Sequence, residues 1–219
     1  MSTPSLQWTG RVRDLAAPGS PIAERVLAGA LLLTCLPVLI LVMAAVALVS
    51  RKSPLIAHRR VGRFGQEFWM LKLRTMWDRR QAPRKRESIW VEYLRDTHVP
   101  AFKGDRDPRV TSPLARLCRR FSLDELPQLL HVISGKMRLV GPRPITREEW
   151  DEHYGPSAAE VLSALPGMTG MWQVVGRNRL TYAQRRRLDL FYVRRRSWRL
   201  DLRLLLRTPA RVLSGRGAG

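Results

Sequence analysis

The most apolar segment of the chain lies near its start, where residues 26–49 contain 24 consecutive positions without a charged side chain. A helix needs about 20 such residues to cross a bilayer, so the segment predicts a membrane helix. A secretory signal peptide is the main alternative, and Ala45-Val46-Ala47 resembles a cleavage site. The apolar part, however, exceeds the roughly 7–15 residues of such a signal, which favours a membrane element.

Pro37 lies at the middle of this segment, where its ring and its missing N–H predict a kink. The positive-inside rule places basic flanks in the cytoplasm, and both flanks here are basic. A helix that enters the membrane, turns at Pro37 and returns satisfies the rule, whereas a single span does not. From the residues alone, a re-entrant helix and a spanning helix both stay open. The basic flanking residues are Arg11, Arg13, Arg25, Arg51, Lys52, Arg59 and Arg60.

The rest of the pattern predicts one hairpin followed mainly by helices. Two strand-like runs within residues 55–76 flank a glycine-containing loop at 62–65, which suits a β-hairpin. Residues 77–103 are charged and interrupted by proline, which indicates a surface insertion with one short helix near 87–95. Helices are predicted at 112–121, at 124–133, around 148–152, and from the capping box of Thr181 and Gln184 to about Arg196.

The 219 residues carry 39 basic and 18 acidic side chains, a formal net charge of +21. Such a field requires an anionic partner: nucleic acid, anionic lipid or a phosphorylated substrate. Arginine and aromatic residues in 182–198 suit a helix in the lipid headgroup layer, and they would also suit nucleic acid. Because the apolar segment makes a membrane the neighbour, we predict membrane lipids and no nucleic acid. The two cysteines exclude a disulfide framework and indicate a reducing compartment.

Two adjacent carboxylates, Asp124 and Glu125, form the sharpest local feature of the sequence. A capping box of Ser122 with Glu125 would place Pro127 at the fifth helical position, where an N–H is needed. An N-cap at Asp124 places Pro127 at the third position, where no donor is needed. The pair could also hold Mg²⁺ with a diphosphate, or supply a carboxylate nucleophile. Chemistry alone leaves the structural and the catalytic roles open.

Three cationic side chains are candidates for phosphate binding. Arg143 lies between two prolines, which fix its backbone and prepare the guanidinium for bidentate recognition. Lys72 and Arg74 are two positions apart on a predicted strand and therefore share one face. An exposed turn and a solvated strand face are the structural alternatives. The four histidines, His58, His98, His131 and His153, show no metal-ligand spacing and suit surface or packing roles.

Several motifs, in order, resemble those of the bacterial sugar transferases, which are monotopic polyprenyl-phosphate phosphoglycosyl transferases. The similarity covers about residues 20–215, and the short stretch ahead of the apolar segment matches the minimal form of the family. The motifs are Lys72-Leu73-Arg74-Thr75-Met76, Asp107-Pro108-Arg109-Val110-Thr111, Ser122-Leu123-Asp124-Glu125-Leu126-Pro127-Gln128-Leu129, Gly135-Lys136-Met137-Arg138-Leu139-Val140-Gly141-Pro142-Arg143-Pro144, Pro166-Gly167-Met168-Thr169-Gly170, Gly176-Arg177-Asn178, Leu188-Asp189 and Asp201.

The resemblance implies the fold class and the placement of the protein. The expected fold is a mostly helical α/β domain facing the cytoplasm, with a re-entrant N-terminal membrane helix and interfacial amphipathic helices, at the bacterial inner membrane. The expected parts are a tail at 1–21, a membrane helix-break-helix at 22–52 with Pro37 at the break, and a sugar transferase domain at 53–219. A homodimer is compatible with this expectation.

The resemblance also implies an activity and its residues. Members transfer a sugar-1-phosphate from a nucleotide diphosphate sugar, here expected to be a UDP-sugar, to polyprenyl (undecaprenyl) phosphate, which initiates exopolysaccharide or glycoconjugate synthesis. Asp124 corresponds to the nucleophile that forms a covalent phosphosugar-enzyme, and Glu125 to the residue that binds Mg²⁺. The residues expected to contact substrate phosphate are Arg143, Arg119, Lys72, Arg74 and Asp189.

The sequence departs from the family pattern at several positions. Leu36 replaces the serine of the Ser-Pro break, and the asparagine after Pro-Gln-Leu is replaced in the region of Leu130 and His131. Lys136 and Arg138 replace an acidic residue and a serine, which adds two cations expected to lie next to the site. None of these changes affects the carboxylate pair. The competing interpretation is a membrane-anchored basic binding or scaffold protein without catalysis.

Overall fold

The computed structural model describes residues 20–76, 90–94, 112–176 and 180–214. The strands are β1 (Leu55–Val61), β2 (Glu67–Leu73), β3 (Val91–Leu94), β4 (Arg138–Val140) and β5 (Gly167–Thr169). The α-helices are α1 (Pro21–Ser50), α2 (Pro113–Arg120), α3 (Leu129–Ile133), α4 (Arg147–Glu149), α5 (Ser157–Val161), α6 (Met171–Val175), α7 (Tyr182–Arg195) and α8 (Trp198–Ser214). Two 3₁₀ turns, Arg63–Gly65 and Leu123–Gln128, and a π-helical turn, Trp150–Tyr154, complete the order. This composition confirms the predicted mostly helical α/β class.

The predicted hairpin is confirmed as β1 and β2, which pair antiparallel from Leu55 opposite Leu73 to Val61 opposite Glu67. Strand β3 pairs parallel with β1, so the sheet order is β2-β1-β3 and β2 forms one edge. The short helix expected near 87–95 is wrong for Val91–Leu94, which form this third strand. Apart from Trp90, whose carbonyl accepts from Leu55 N, the rest of the predicted insertion lies outside the described residues.

The helix predicted at 124–133 is in fact two elements. A 3₁₀ turn, Leu123–Gln128, leads directly into α3. The predicted N-cap at Asp124 is wrong, because Ser122 precedes the turn with a left-handed φ of 53° and Asp124 lies inside it. Ser122 makes no side-chain capping bond, so the capping box with Glu125 is absent as well. The tight 3₁₀ geometry accommodates Pro127 within the turn.

The other helix signals mostly hold. Helix α2 begins after Ser112, whose Oγ accepts from Ala115 N at 3.1 Å. The capping box that opens α7 is present, because Thr181 N donates to Gln184 Oε1 at 2.9 Å and Gln184 N donates to Thr181 Oγ1. The polar helix predicted around 148–152 is the pair of α4 and the π-helical turn.

Helix α1 runs for 30 residues through Pro37. At about 1.5 Å per residue it is about 45 Å long, and within the described residues it is the helix long and apolar enough to cross a membrane. The predicted break of the helix at Pro37 is not seen. Thr34 Oγ1 donates to Ala30 O at 2.9 Å and so does not satisfy the carbonyl of Leu33, whose N–H partner the proline removes.

Both ends of α1 contact the rest of the chain. In its first turn, Glu24 accepts from Arg138 Nε at 2.6 Å and from Leu139 N at 2.7 Å. Near its other end, Val46 is buried against Ala115 of α2. Between these points, Ala28 joins the main apolar core, which contains residues of β2, α3, β4, α7 and α8. Its buried members are Ala28, Met70, Leu129, Val132, Met137, Leu139, Val140, Ala164, Tyr192, Val193 and Leu204.

Candidate active site

The carboxylate pair projects from the 3₁₀ turn between α2 and α3. The left-handed Ser122 reverses the chain after α2, and Glu125 N closes the turn on Ser122 O at 3.1 Å. Two other elements reach Glu125. Lys72 Nζ of β2 lies 3.4 Å from Glu125 Oε1, and Gln173 Nε2 of α6 lies 3.4 Å from Glu125 Oε2. The structure therefore brings together Asp124, Glu125 and Lys72, as the sequence predicts, and adds Gln173.

The electrostatics of Asp124 place its ionisation near neutral pH. Burial raises the pKa of its carboxyl from 3.8 to about 6, and the charge of Glu125 also raises it. The charges of Lys72 and Arg119 oppose this rise and lower the pKa. Above about pH 6 the group is a poorly solvated carboxylate near two cations, which is the form that a nucleophile needs.

His131 connects the edge strand to the segment that carries the carboxylates. Its Nε2 accepts a hydrogen bond of 3.0 Å from Leu71 N, which precedes Lys72 in β2. The buried ring is neutral at pH 7, because burial and the charge of Lys136 lower its pKa to about 4. His131 packs in the interior as expected, and it also has a second role. Its ring accepts a hydrogen bond from Leu71 N, a backbone amide that points away from β1 on the edge strand β2.

Replacing His131 with asparagine is expected to preserve most activity, because an amide oxygen can accept from Leu71 N. Replacing it with leucine leaves that amide without an acceptor, which is expected to lower the free energy of unfolding by about 1–3 kcal/mol. Turnover is expected to fall as well, because Lys72, the next residue of β2, loses its fixed position. Initial rates and thermal melting curves of the two variants provide the test. Equal rates for asparagine and leucine would show that the hydrogen bond does not matter.

Arg143 lies in a loop that close backbone contacts hold in place. A Cβ at Gly167 or at Gly170 would collide with the backbone of Gly141. The segment that leads from β4 to Arg143 therefore packs directly on the backbone at the two ends of β5, where only glycine fits. Arg143 N donates to Asp189 Oδ1 at 3.4 Å, and its guanidinium carbon lies 4.7 Å from the ring centroid of Trp172. The rigid presentation predicted from the two prolines therefore has additional support from glycine contacts and an aromatic ring.

Asp189 is buried behind this loop. Its Oδ2 accepts from Tyr154 Oη at 2.9 Å, and burial raises its pKa to about 7. With 1% of its surface exposed and both oxygens occupied, it holds the Arg143 loop and not a phosphate. Asp189 was expected to contact substrate phosphate directly. In the structure it instead positions the Arg143 loop by accepting from Arg143 N.

Arg74 is also committed to the fold. Its Nε donates to Ser53 O at 2.7 Å, and its Nη2 pairs with Glu92 Oε2 of β3 at 2.5 Å. The side chain is buried, so Lys72 and Arg74 do not form the pair of phosphate-binding cations expected from their spacing. Arg74 instead connects the end of β2 to β3.

The two added cations also have separate places. Arg138 pairs with Glu24 of α1. This cation was expected next to the site, and it instead holds α1 against β4. Lys136 is exposed, and its charge lowers the pKa of His131. The motif at 107–111 and residues Arg177 and Asn178 lie outside the described residues.

The described residues contain no cluster of three or more potential metal-ligating side chains. Mg²⁺ in phosphoryl-transfer sites commonly takes one or two carboxylates together with substrate phosphates. Asp124 and Glu125 fit this donor set, because one 3₁₀ turn supplies both carboxylates. The ammonium of Lys72, 3.4 Å from Glu125 Oε1, would have to move aside for the ion.

Comparisons with known proteins identify the family of the chain. The family model described as bacterial sugar transferase matches residues 19–215. Exopolysaccharide production protein ExoY of Rhizobium meliloti (strain 1021) is 37% identical over 216 residues, which cover 96% of this chain and 92% of that protein. The UDP-glucose:undecaprenyl-phosphate glucose-1-phosphate transferase of Caulobacter vibrioides is 37% identical over 216 residues, covering 90% of this chain and 74% of that protein.

A further relative matches over a shorter range and is a longer protein. The undecaprenyl-phosphate galactose phosphotransferase of Salmonella typhimurium is 42% identical over 163 residues, which cover 74% of this chain and 33% of that protein. The family match includes α1, the carboxylate turn and the Arg143 loop within one continuous range. The chain therefore belongs to the bacterial sugar transferase family.

Proposed function

We propose that this protein transfers a sugar-1-phosphate from a nucleotide diphosphate sugar to a polyprenyl phosphate, through a covalent intermediate on Asp124. The observation that carries the proposal is the poorly solvated Asp124 carboxylate, with a pKa of about 6, next to Glu125 and under the charges of Lys72 and Arg119. Membership of the family makes the protein a phosphoglycosyl transferase.

In the first half-reaction, an ionised oxygen of Asp124 attacks the β-phosphorus of the donor. The bond from that phosphorus to the bridging oxygen breaks, and the nucleotide monophosphate leaves with the bonding electrons. Lys72, Arg119 and Arg143 would stabilise the charge on the phosphate oxygens, which is the main task of a protein in phosphoryl transfer. In the second half-reaction, an oxygen of polyprenyl phosphate attacks the same phosphorus, and Asp124 leaves as a carboxylate.

Glu125, with Asp124 beside it, is the residue that would hold Mg²⁺. When bound, the ion supplies neutralisation of negative charge on the diphosphate. In the protein itself, Lys72 balances the charge of the Glu125 carboxylate, from which its ammonium lies 3.4 Å away. Gln173 restrains the other oxygen of Glu125 and so fixes the orientation of the carboxylate.

The donor, acceptor and pathway follow from the named activities of the relatives. One relative is a UDP-glucose transferase that acts on undecaprenyl phosphate, and another is named for exopolysaccharide production. For this chain we propose a UDP-sugar, undecaprenyl phosphate and the first step of exopolysaccharide or glycoconjugate assembly. A non-catalytic scaffold is the competing function.

A donor panel separates the two functions. Purified protein is incubated with undecaprenyl phosphate, Mg²⁺ and single UDP-sugars, and the release of UMP is measured. We expect UMP release with at least one donor, dependent on both Mg²⁺ and acceptor for multiple turnovers. A scaffold protein would release no UMP with any donor.

The contacts of α1 support a topology in which both flanks face the cytoplasm. If α1 spanned the bilayer, its first turn would lie on the side of the membrane opposite the domain, about 30 Å from it. Here, Glu24 in the first turn contacts Arg138, and Val46 near the other end contacts Ala115. We infer that α1 stays against the domain and presents its other face to lipid. Exposed apolar residues on that face include Ile22, Val26, Leu33, Ile40, Leu41 and Leu48.

Helix α8 supplies a second surface for the membrane. Trp198, Leu202 and Leu206 recur every four residues and are exposed, so they lie on one face of the helix. Arginines at 199, 203 and 207 follow each of them on the adjacent face. We propose that this helix lies in the headgroup layer, where the apolar side chains enter and the guanidiniums meet lipid phosphates. The catalytic domain would then lie at the cytoplasmic face of the inner membrane.

Cysteine labelling tests this topology. In a background lacking Cys35 and Cys118, single cysteines at Arg13 and at Arg59 are expected to react with an impermeant maleimide from the same, cytoplasmic face. Spheroplasts and inverted vesicles give the two orientations, and a periplasmic protein of known topology serves as the labelling control. Reaction of the two positions from opposite faces would establish a spanning helix and contradict the proposal.

A further inference from the structure

Two guanidinium groups lie over one indole ring, that of Trp172, which precedes Gln173 in α6. The guanidinium carbon of Arg143 lies 4.7 Å from the Trp172 ring centroid, and that of Arg185 of α7 lies 5.8 Å from the same centroid. Arg185 also lies 5.4 Å from the ring centroid of Tyr182. The two cations therefore share one aromatic surface, although they come from different elements.

The carboxylates around Arg143 and Arg185 do not balance the positive charge of these two guanidiniums. Burial would raise the pKa of Glu149, but the charges of Arg143, Arg60 and Arg185 hold it below its usual range. One ionised carboxylate thus faces three guanidiniums, and one of its oxygens already accepts from Thr146 N at 3.0 Å. Asp189 carries only part of a negative charge at neutral pH, because burial raises its pKa to about 7. The cluster keeps an excess of positive charge.

The same cations are partly removed from water. The Nε atoms of Arg143 and Arg185 are buried, and neither has a hydrogen-bond partner among the described residues; the same holds for Trp172 Nε1. Burial and the neighbouring charge of Arg143 both lower the pKa of Arg185. Desolvated cations of like charge destabilise a fold unless an anion compensates them. The arrangement is therefore suited to a ligand that brings negative charge.

The position of the cluster links it to the proposed reaction. Trp172 precedes Gln173 in α6, and Gln173 Nε2 reaches Glu125 Oε2 at 3.4 Å. We propose that Arg143 and Arg185 together bind one phosphate group of a substrate, with Arg185 as a binding residue for which the sequence motifs gave no sign. This proposal rests on the proposed function for the identity of the substrate. The phosphate belongs either to the donor diphosphate or to the acceptor monophosphate.

Arg185 also has a matched control on its own helix. Arg187 is exposed, and its removal changes the net charge of the protein by the same amount without touching Trp172. Arg185→Lys keeps the charge but removes the planar fork that binds phosphate through two hydrogen bonds. Arg185→Ala removes both. The three variants separate a specific contact from the diffuse field of a very basic protein.

Equilibrium binding to the full-length protein is the first measurement. Calorimetric titrations use inorganic pyrophosphate as the donor probe and farnesyl phosphate as the acceptor probe. For at least one probe, Arg185→Ala is expected to weaken binding about 10-fold to 100-fold. Arg185→Lys is expected to weaken binding of the same probe by a smaller factor, because it keeps the charge. Arg187→Ala is expected to bind like the wild type. The probe that loses affinity identifies the source of the phosphate.

A double variant tests whether the two arginines share one anion. If they do, Arg143→Ala with Arg185→Ala loses much less affinity than the product of the two single losses. Unchanged binding of both probes by Arg185→Ala and Arg185→Lys would overturn the proposal, and so would an equal loss in Arg187→Ala. Melting curves identify any variant that fails to fold. If Arg185→Ala does not fold, the affinity of Arg185→Lys for the two probes tests the proposal instead.

Turnover distinguishes this proposal from the proposed function. Suppose that the wild type releases no UMP with any donor, and that the Arg185→Ala variant binds pyrophosphate more weakly than the wild type. The anion site then stands and the proposed function fails. If the wild type releases UMP and Arg185→Ala matches it in kcat/KM and in both titrations, the proposed function stands and the role of Arg185 is wrong.

Discussion

Replacing Asp124 with asparagine is expected to reduce UMP release by about a thousandfold or more, while the protein stays folded. The amide has nearly the same shape as the carboxyl group but cannot form the acyl phosphate bond to the donor. Loss of a covalent nucleophile removes a step that no neighbouring group replaces, and such losses are among the largest known for single residues. Glu125 is not expected to substitute, because in the proposed site its carboxylate would hold Mg²⁺, with Lys72 and Gln173 as its neighbours.

Mass spectrometry gives the direct measurement. Wild-type protein with donor alone is expected to show a phosphosugar adduct on the peptide that contains Asp124, and the asparagine variant none. Asp151→Asn is the matched control, because Asp151 is exposed and pairs with Arg147 on the surface. An asparagine variant at 124 with substantial turnover, or an adduct on another peptide, would contradict the covalent mechanism.

The pKa of Asp124 also predicts two pH effects of opposite sense. Turnover is expected to fall as the pH drops through about 6, because protonation removes the nucleophile. A raised pKa means that the folded state binds the proton more tightly than the unfolded state. Asp124 therefore lowers the free energy of unfolding above about pH 6, and this cost disappears below its unfolded pKa. Asp124→Asn is expected to be more stable at pH 8, by up to about 3 kcal/mol.

The parts of this fold that depend on local chemistry were predictable. The β1–β2 hairpin follows from two short runs around glycines, and the Thr181 capping box fixes the start of α7. Each signal lies within a few residues of the structure that it specifies. The N-cap expected at Asp124 failed for a reason that is also local, since Ser122 takes a left-handed conformation that moves the start of the turn.

The placement of side chains across the fold could not be predicted in this way. His131 meets Leu71 N across 60 positions, and Arg138 meets Glu24 across 114. Both partners are defined only when β2 and α1 pack on the same segment. Arg185 has no motif of its own, and its relation to Arg143 depends on Trp172, which comes from a third element. The family motifs pointed to the carboxylate pair but not to these supporting contacts.

Replacing Glu125 with glutamine is expected to lower turnover by roughly 10-fold to 100-fold and to raise the Mg²⁺ concentration at half-maximal rate. The amide keeps an oxygen that accepts from Gln173 but loses the charge that attracts both Lys72 and a divalent cation. Rates measured across a Mg²⁺ series provide the test. Glu152→Gln, at an exposed position, removes the same charge elsewhere and is expected to leave the series unchanged.

The pH profile of the same variant, recorded at saturating Mg²⁺, gives a second measurement. The charge of Glu125 raises the pKa of Asp124, so a neutral glutamine is expected to lower that pKa. The acid limb of kcat/KM should therefore move below pH 6 in Glu125→Gln, even though the maximal rate is smaller. A lower rate with an unmoved acid limb and an unmoved Mg²⁺ requirement would mean that Glu125 supports the turn through hydrogen bonds alone. An acid limb that moves to higher pH would contradict the electrostatic coupling of the two carboxylates.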